Sequence, residues 1–405
     1  MKRFSQREAK GVIIAIFNSF SWYFPLYIFF ANELDNLHME RSALYSIYSV
    51  HYAAIIAFAV AGSYLATKIE RRKLLSAWML IGTIGSMSML AMKNSGIEWI
   101  YIVSFALGLS LGLGFPSCLA YFADLSMVET RGSMGGFIYF LTAMGMFAIG
   151  FSTTMLDFVT TVLLFAIWRG SGLVLFLLAR PRQQQKTGTS ETSGETIFGR
   201  RAFILYFIPW TMFCLINFLE IPFFDQPLQQ HFLGTNLRYL ISIGEFGIGG
   251  LSALAGGFLS DIFGRKRILV SAYIMVGIGY AVLSLSFSSI ETLYLYILLD
   301  GIAWGVFALM FYFIIWGDLA GNQFREKYYL VGILPFLISS FISILFTPYA
   351  GAIPLSTAFS LASFFLFLAI LPLIYAPETM PERKLKEREL RNYLEKAKKT
   401  KEKYA

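Results

Sequence analysis

Long apolar stretches recur along almost the whole chain, and they restrict the possible folds more than any other feature. A helix needs about 20 consecutive apolar residues to cross a bilayer, and residues 353–375, for example, contain no charged side chain. Only 14% of the 405 residues are charged and 57% are hydrophobic, whereas soluble domains contain about 25% charged residues. We therefore predict an all-α membrane protein.

Twelve of these stretches are predicted to be transmembrane helices, six in each half of the chain. The first follows a short basic segment that superficially resembles a signal peptide, but no small-residue cleavage site comes after it. We therefore interpret it as a retained helix. The predicted spans are 11–32, 42–66, 74–92, 98–122, 133–153, 158–179, 202–224, 238–260, 268–288, 292–316, 328–348 and 353–375.

The distribution of basic residues predicts the orientation. With the N-terminus inside, the inner segments hold 29 of the 33 Lys and Arg residues, and basic loops stay on the cytoplasmic side. Both termini are therefore predicted to be cytoplasmic, in a multi-pass protein of the cell membrane. This topology explains the net charge of +8, so nucleic acid is not an expected partner.

The same patterns divide the chain into domains. A polar stretch without apolar periodicity separates the two sets of helices and is predicted to be a flexible linker. Apolar residues between 390 and 397 recur at helical spacing, which predicts a short amphipathic helix near the inner surface. The predicted domains are a six-helix bundle at 1–180, a linker at 181–200, a second six-helix bundle at 201–377 and a basic tail at 378–405.

An internal repeat relates the two halves. The segment GSYLATKIERRKLL (62–75) aligns without gaps to GGFLSDIFGRKRIL (256–269), at an offset of 194 residues. At the same offset Asp124 matches Asp318, and Arg131 matches Arg325. Six crossings per half preserve the orientation of a parallel repeat, and a site between two such halves can open alternately to either side. The repeat therefore predicts a transporter.

The repeated loop resembles a motif of major facilitator transporters. The form G-x-x-x-D-x-x-G-R-[RK], found there between helices 2 and 3 and between helices 8 and 9, is matched within 256–269. The segment FADLSMVETRG (122–132) resembles the loop after helix 4 of that family, and PET (377–379) resembles the end of helix 12 in its sugar-porter branch. The resemblance covers the whole chain and implies the major facilitator fold of two parallel-repeat bundles.

The resemblance also implies a latch between the inner helix ends in the outward-facing state. In the first-half copy Thr67 replaces the motif Asp and Glu70 replaces its second Gly, which predicts a weaker latch there. Ser104 stands where many members carry an Arg on helix 4, and helix 5 lacks the motif of drug–proton antiporters. The expected latch residues are Gly257, Asp261, Gly264, Arg265, Lys266, Arg71, Arg72, Asp124, Arg131, Asp318 and Arg325.

Charged residues inside the spans are candidates for the site, because burying a charge in a bilayer is costly. Asp300 lies about 12 Å from the outer end of the tenth span, where it is a candidate proton carrier, a partner for a cationic solute, or a carboxyl group bonded to a neighbouring helix. Arg169 lies midway along the sixth span and suits a carboxylate or phosphate. A structural ion pair or snorkelling is the alternative.

Two further candidates are related by the repeat, since His51 and Glu245 differ by 194 positions. They are candidates for proton coupling or gating, and two satisfied interfacial polar groups are the alternative. Amides and aromatic rings on the first, seventh and tenth spans suit a sugar or another polar solute, although such residues also pack in membrane interiors. These candidates are Asn18, Trp22, Tyr23, Trp210, Asn217, Glu220 and Trp304.

The sequence therefore predicts a secondary transporter of a small organic solute, with a sugar or organic acid favoured and a proton gradient as the driving force. A drug or cation exporter and a non-transporting receptor or scaffold are the alternatives. Neither a metal nor another cofactor is expected, because Cys118 and Cys214 are isolated and the histidines show no metal spacing. No enzyme motif is evident. A bilayer-embedded monomer with a small-molecule substrate is expected.

Overall fold

The chain folds into helices that are long enough to cross a membrane. The computed structural model describes residues 6–93, 96–179, 197, 200–224, 243–320 and 325–380. Within these ranges every regular element is helical, and twelve helices have the length and composition of membrane spans. The predicted all-α class and the twelve spans are confirmed. Most of the predicted linker and the predicted tail helix lie outside the described residues.

The twelve spans fall into two halves of six, which we number in chain order. The first half contains α1 (Ala9–Asn36), α2 (Arg41–Lys68), α3 (Arg71–Met92), α4 (Ile97–Leu125), α5 (Val128–Thr153) and α6 (Phe158–Ala179). The second half contains α7 (Arg201–Phe223), α8 (Phe246–Phe263), α9 (Arg265–Leu285), α10 (Ile290–Ala320), α11 (Arg325–Ala350) and α12 (Leu355–Tyr375).

Two repeat-equivalent spans, α4 and α10, depart from regular α-helix at nearly the same place. In α4 the helix is interrupted at Leu113 and Gly114, just before Pro116, which cannot donate a backbone hydrogen bond and crowds the preceding turn. In α10 the π-helical segment Leu309–Ile314 interrupts the span. Phe115, next to the first irregular segment, and Tyr312, within the second, meet across the two halves with ring centroids 6.4 Å apart.

The two halves pack against each other through α5 with α8 and through α2 with α11. These pairs are related by the repeat, since α2 corresponds to α8 and α5 to α11. Glycines bring α5 and α8 together: a Cβ at Gly136 would lie 2.4 Å from the carbonyl oxygen of Ala253. A Cβ at Gly257 would lie 2.3 Å from that of Gly132. Small residues therefore set the closest approach of the halves.

Candidate functional site

Asp261 at the end of α8 accepts hydrogen bonds from backbone N–H groups in the first α-helical turn of α5, which begins at Arg131. Its Oδ1 is 3.0 Å from the nitrogen of Gly132, and its Oδ2 is 2.7 Å from that of Ser133. A helix N-terminus leaves such N–H groups without intrahelical partners and carries a partial positive charge. Asp261 therefore caps a helix of the opposite half.

Two buried arginines complete this contact. Arg265 forms an ion pair with Asp261 and donates to the carbonyl oxygen of Val128 in the first half at 2.7 Å. Arg131 of the first half forms an ion pair with Asp318 of the second half, and Arg265 Nε lies 3.7 Å from the same carboxylate. Both arginines are almost completely buried, so charges from the two halves neutralise each other where water is excluded.

The PET segment connects the end of α12 to this contact. Glu378 accepts hydrogen bonds from the backbone nitrogens of Arg265 and Lys266, at 2.9 and 3.1 Å, and so caps α9. Thr379 donates to Asp318 at 3.1 Å. Gly264 makes the turn between α8 and α9 with a φ of 96°, a conformation that favours glycine. Its missing side chain also leaves room for the Glu378 carboxylate.

The first-half copy of the motif uses a different arrangement. Arg71 at the start of α3 pairs with Asp124 at 2.5 Å and with Glu326 of the second half. Asp124 also pairs with Arg325 of the second half. Thr67, which replaces the motif Asp, is exposed, and among the described residues its hydroxyl group bonds to its own helix, donating to the carbonyl oxygen of Tyr64.

The repeat shows how this second arrangement arises. Arg71, Asp124 and Arg325 are the counterparts of Arg265, Asp318 and Arg131 at the 194-residue offset. The counterpart of Asp261 is Thr67, whereas Glu326 stands at the counterpart of Gly132. The acidic group has therefore moved across the interface, from the end of α2 to the start of α11. Glu326 was not predicted from the sequence. The 194-residue offset that shows Thr67 in place of Asp261 also pairs Glu326 with Gly132 and so could have identified it.

We call these contacts the inner ionic network. They join the two halves at the end of the bundle that the basic loops predict to be inner, so the structure is closed on that side. Most of the expected latch residues belong to this network or to the neighbouring turn between α8 and α9. The exceptions are Gly257, which packs against Gly132 and Gly136 of α5, and Arg72, which forms no ion pair among the described residues. The members are Arg71, Asp124, Arg131, Asp261, Arg265, Asp318, Arg325, Glu326, Glu378 and Thr379.

A second polar group lies in the outer part of the second half. Glu220 of α7 accepts a hydrogen bond from the hydroxyl group of Tyr296 at 2.7 Å and another from Tyr280 of α9. Asp300 lies one turn beyond Tyr296 on α10, is 3% exposed, and interacts electrostatically with both tyrosines. We call these four residues the acid–tyrosine cluster. It brings together two carboxylates, Glu220 and Asp300, that were predicted separately.

His51 lies in the first half and has a partner at each ring nitrogen. Its Nδ1 is 3.0 Å from the carbonyl oxygen of Ser104, which can only accept, so Nδ1 carries the proton. Its Nε2 then accepts from the hydroxyl group of Tyr23 at 2.8 Å. The ring also stacks on that of Tyr27, with centroids 5.3 Å apart. This geometry agrees with the satisfied polar group named as an alternative for His51.

A short chain of hydroxyl groups joins the halves near their middle. Tyr27 of α1 bonds to Tyr52 of α2 at 2.8 Å, and Tyr52 bonds to Ser340 of α11 at 2.5 Å. The ring of Tyr52 also lies 5.7 Å from that of Phe341. These contacts place the aromatic side chains of α1 and α2 against the second half.

Aromatic rings from four spans meet at Phe336 of α11. Its ring lies 6.4 Å from Phe24 of the first half, 4.9 Å from Phe218 of α7, and 6.3 Å from Trp304. Tyr312 completes this aromatic cluster at 5.7 Å. Trp304 and Phe336 are only half-buried. The cluster therefore presents ring surface between the halves, one helical turn from Asp300.

Several predicted site residues lie elsewhere. Asn18 and Trp22 are buried within the first half, where they contact Arg169, so these three residues pack together and not between the halves. Trp210 is fully buried and donates to the carbonyl oxygen of Gly332 at 2.8 Å.

Two candidates remain from the predicted set. Asn217 of α7 is 5% exposed, and its Oδ1 has no hydrogen-bond partner among the described residues. The position of Glu245 precedes α8, in the π-helical turn Ile243–Ile248, and its side chain lies outside the description.

Two repeat-related halves of six spans, joined at one end by ion pairs and with a carboxylate–tyrosine cluster inside the second half, define a polytopic membrane transporter. The chain belongs to the Major Facilitator Superfamily, whose family model matches residues 11–327. This result confirms the family that the loop motifs indicated. A comparison with curated proteins gives no match.

Solved structures of transporters have the same fold. The proton:xylose symporter XylE, bound to 6-bromo-6-deoxy-D-glucose, superposes with a TM-score of 0.71 at 14% identity, covering 92% of this chain and 96% of its own. The Escherichia coli fucose:proton symporter FucP gives 0.70 at 11% identity, with coverages of 91% and 98%. The human organic anion transporter MFSD10 gives 0.66 at 14% identity, with coverages of 91% and 99%.

Proposed function

We propose that the chain is a proton-coupled secondary transporter that moves a small neutral organic solute, with sugars as the leading class, by alternating access. The observation that carries this proposal is the acid–tyrosine cluster, which places a buried carboxylate, Asp300, and a half-buried one, Glu220, inside one half of a two-half transporter. The inner ionic network supports alternation, because among the described residues its ion pairs join the halves at one end, and they must break for that end to open.

The carboxylates of Glu220 and Asp300 supply the proton site in this proposal. Ionised carboxylates are costly within a bilayer. In this proposal, the cluster therefore takes up a proton, which removes negative charge, when the outer side closes. The hydroxyl groups of Tyr280 and Tyr296 bond to Glu220 and lie within electrostatic range of Asp300. A proton taken up from outside at this cluster is then released inside.

The surface for the solute is supplied by the aromatic cluster and by Asn217. Aromatic faces stack on the apolar face of a sugar ring, while an amide donates and accepts hydrogen bonds. The Oδ1 of Asn217 is buried without a partner among the described residues, and a buried polar atom ordinarily has one. An organic acid is less favoured, because Arg169, the basic residue predicted for it, packs within the first half.

A second candidate substrate is an organic cation. The half-buried ring of Trp304 stands one turn from the Asp300 carboxylate, and carboxylates with aromatic faces attract cations. In this alternative, the cation and the proton compete for the same cluster. Such competition favours export of the cation in exchange for a proton. A solute that carries no charge and moves in the same direction as protons would exclude it.

The remaining features are part of the same proposal. We propose a location in the cell membrane with both termini cytoplasmic, supported by the basic residues of the inner segments. We also propose a monomer that divides at 1–180, 181–200, 201–377 and 378–405. Site-directed labelling of single cysteines placed in the α2–α3 and α3–α4 connections tests the orientation.

The substrate is tested in proteoliposomes that contain an internal pH indicator. The purified protein is screened by counterflow of labelled sugars, organic acids, amino acids and organic cations. Each active solute is then added outside the vesicles without an imposed proton gradient. The proposal expects a neutral sugar to exchange and to bring protons inward with it. Exchange of a cation with outward proton movement would favour the second candidate. Binding without flux would favour a receptor or scaffold.

A further inference from the structure

Arg169 is a fully buried charge at the middle of α6. It lies 11 residues after Phe158 and 10 before Ala179, which places it about 15 Å from either end of the helix. Among the described residues, no carboxylate forms an ion pair with it. The positive charge is therefore left without a counter-charge in the part of the bundle where charge is most costly.

The contacts of Arg169 stabilise it without neutralising it. Its Nη1 donates to Asn18 at 3.1 Å and to Ser19 at 2.5 Å, both of which accept through neutral oxygens. Its Cζ lies 4.7 Å from the ring centroid of Trp22 and 4.6 Å from that of Trp78. Indole rings attract a cation through their faces, but they accept none of its remaining N–H groups.

The donors without a partner lie together on one edge of the guanidinium. Both Nε and Nη2 of Arg169 are buried and have no hydrogen-bond partner among the described residues. The N–H bonds of these two nitrogens point in the same direction, which is the geometry that binds an anion in bidentate fashion. A buried charged donor that is not bonded carries a large desolvation penalty.

Gly82 of α3 packs closely against this edge. A Cβ at this glycine would lie 2.7 Å from Arg169 Nε, closer than any side chain could approach. The neighbouring polar groups are already engaged, since Trp22 Nε1 donates to Ser86 at 2.8 Å and Asn18 Nδ2 to the carbonyl oxygen of Trp168 at 2.7 Å. The free donors are therefore two parallel N–H groups in closely packed surroundings.

We propose that a small monovalent anion of halide size binds at the Nε–Nη2 edge of Arg169, beside Gly82. The positive charge and the two parallel donors select an anion, and the close packing of Gly82 against Nε favours a small one. This site lies inside the first half, away from the acid–tyrosine and aromatic clusters. The proposal therefore does not rest on the solute or on proton coupling.

The experiment measures thermal unfolding of the purified protein as gluconate is replaced by chloride or bromide. The sodium concentration and ionic strength stay constant, so that screening does not change. The proposal expects a saturable rise in Tm with either halide. Arg169→Gln should abolish this rise, and Gly82→Ala should weaken the apparent halide affinity by about tenfold or more, because its methyl group would clash with Nε and displace the donor edge.

Gly170→Ala is the matched control, since a Cβ there would meet only Thr83, at an ordinary distance of 3.6 Å. This variant should keep the wild-type halide response. Anomalous scattering from bromide-soaked crystals of the wild type supplies a second measurement that needs no variant, and it should show a peak within hydrogen-bond reach of Nε and Nη2. An equal Tm rise in Arg169→Gln, no rise in the wild type, or bromide peaks only elsewhere would overturn the proposal.

Discussion

Arg131 of the first half and Asp318 of the second half form an ion pair in which the two side chains are only 1% and 0% exposed. The pair lies where the start of α5 meets the inner end of α10, and Arg265 and Thr379 contact the same carboxylate. The two residues come from separate copies of the repeat. Their contact therefore exists only while the inner ends of the halves are together.

Asp318→Asn should shift the protein toward the state that is open inside. The change leaves the Arg131 guanidinium buried without its counter-charge, and breaking a buried pair in this way costs about 3–5 kcal/mol. Spin labels on the inner ends of α5 and α8 should report a longer distance between the halves. Arg72→Gln is the matched control, because Arg72 forms no ion pair among the described residues, and its distances should match those of the wild type. Unchanged distances in Asp318→Asn would contradict this role of the pair.

Glu326→Gln should weaken the first-half side of the inner ionic network, because Arg71 loses one of its two acidic partners. The repeat predicts a rescue: Thr67→Asp, added to Glu326→Gln, restores an acid at the counterpart of Asp261. Inner-end distances in the double variant should return toward those of the wild type. A double variant that is as open as Glu326→Gln would show that the acid cannot be exchanged between the two positions.

Gly264→Ala should destabilise the turn between α8 and α9 by about 1–3 kcal/mol, because a side chain is strained at a φ of 96°. The added Cβ would also lie 2.6 Å from the Glu378 carboxylate, so the cap of α9 is displaced. Thermal unfolding checks this result against Gly150→Ala, where a Cβ meets nothing within 4 Å. Equal stability of the two variants would refute the account of the turn.

His51→Phe should lower stability without removing proton coupling. The variant keeps a ring for Tyr27 but loses hydrogen bonds to Ser104 and Tyr23, each worth about 0.5–1.5 kcal/mol. Thermal unfolding measures the loss, and solute-driven proton uptake in proteoliposomes measures the coupling. If the folded variant carries solute without protons, His51 belongs to the proton path and the proposed role of the acid–tyrosine cluster is incomplete.

Much of the fold follows from local features of the sequence. Apolar stretches of span length locate all twelve helices, because backbone polar groups within a bilayer must be satisfied inside the segment. The offset of 194 residues relates the halves, and the loop motif predicts Asp261 and Arg265 as contact residues. Each of these signals is contained in a short segment or in a comparison of two segments.

The site depends instead on how each helix is rotated, which hydropathy does not specify. Asn18 and Trp22 lie on the same span as Tyr23 and Tyr27, yet the first two face Arg169, while Tyr27 bonds to Tyr52 and through it reaches the second half. Tyr280 and Tyr296 were missed because tyrosines are common in this chain. Their importance comes from their distance to Glu220, which only the packing of α7, α9 and α10 determines.

The central claim is tested most directly by measuring two activities, accumulation driven by a proton gradient and exchange, in the wild type and in Asp300→Asn. Both assays use the solute that the counterflow screen identifies. The wild type should concentrate this solute only when an inward proton gradient is imposed. Asp300→Asn should lose accumulation but keep exchange, since exchange requires no net release of protons. Accumulation by the variant equal to that of the wild type, or accumulation by the wild type without a proton gradient, would contradict the account.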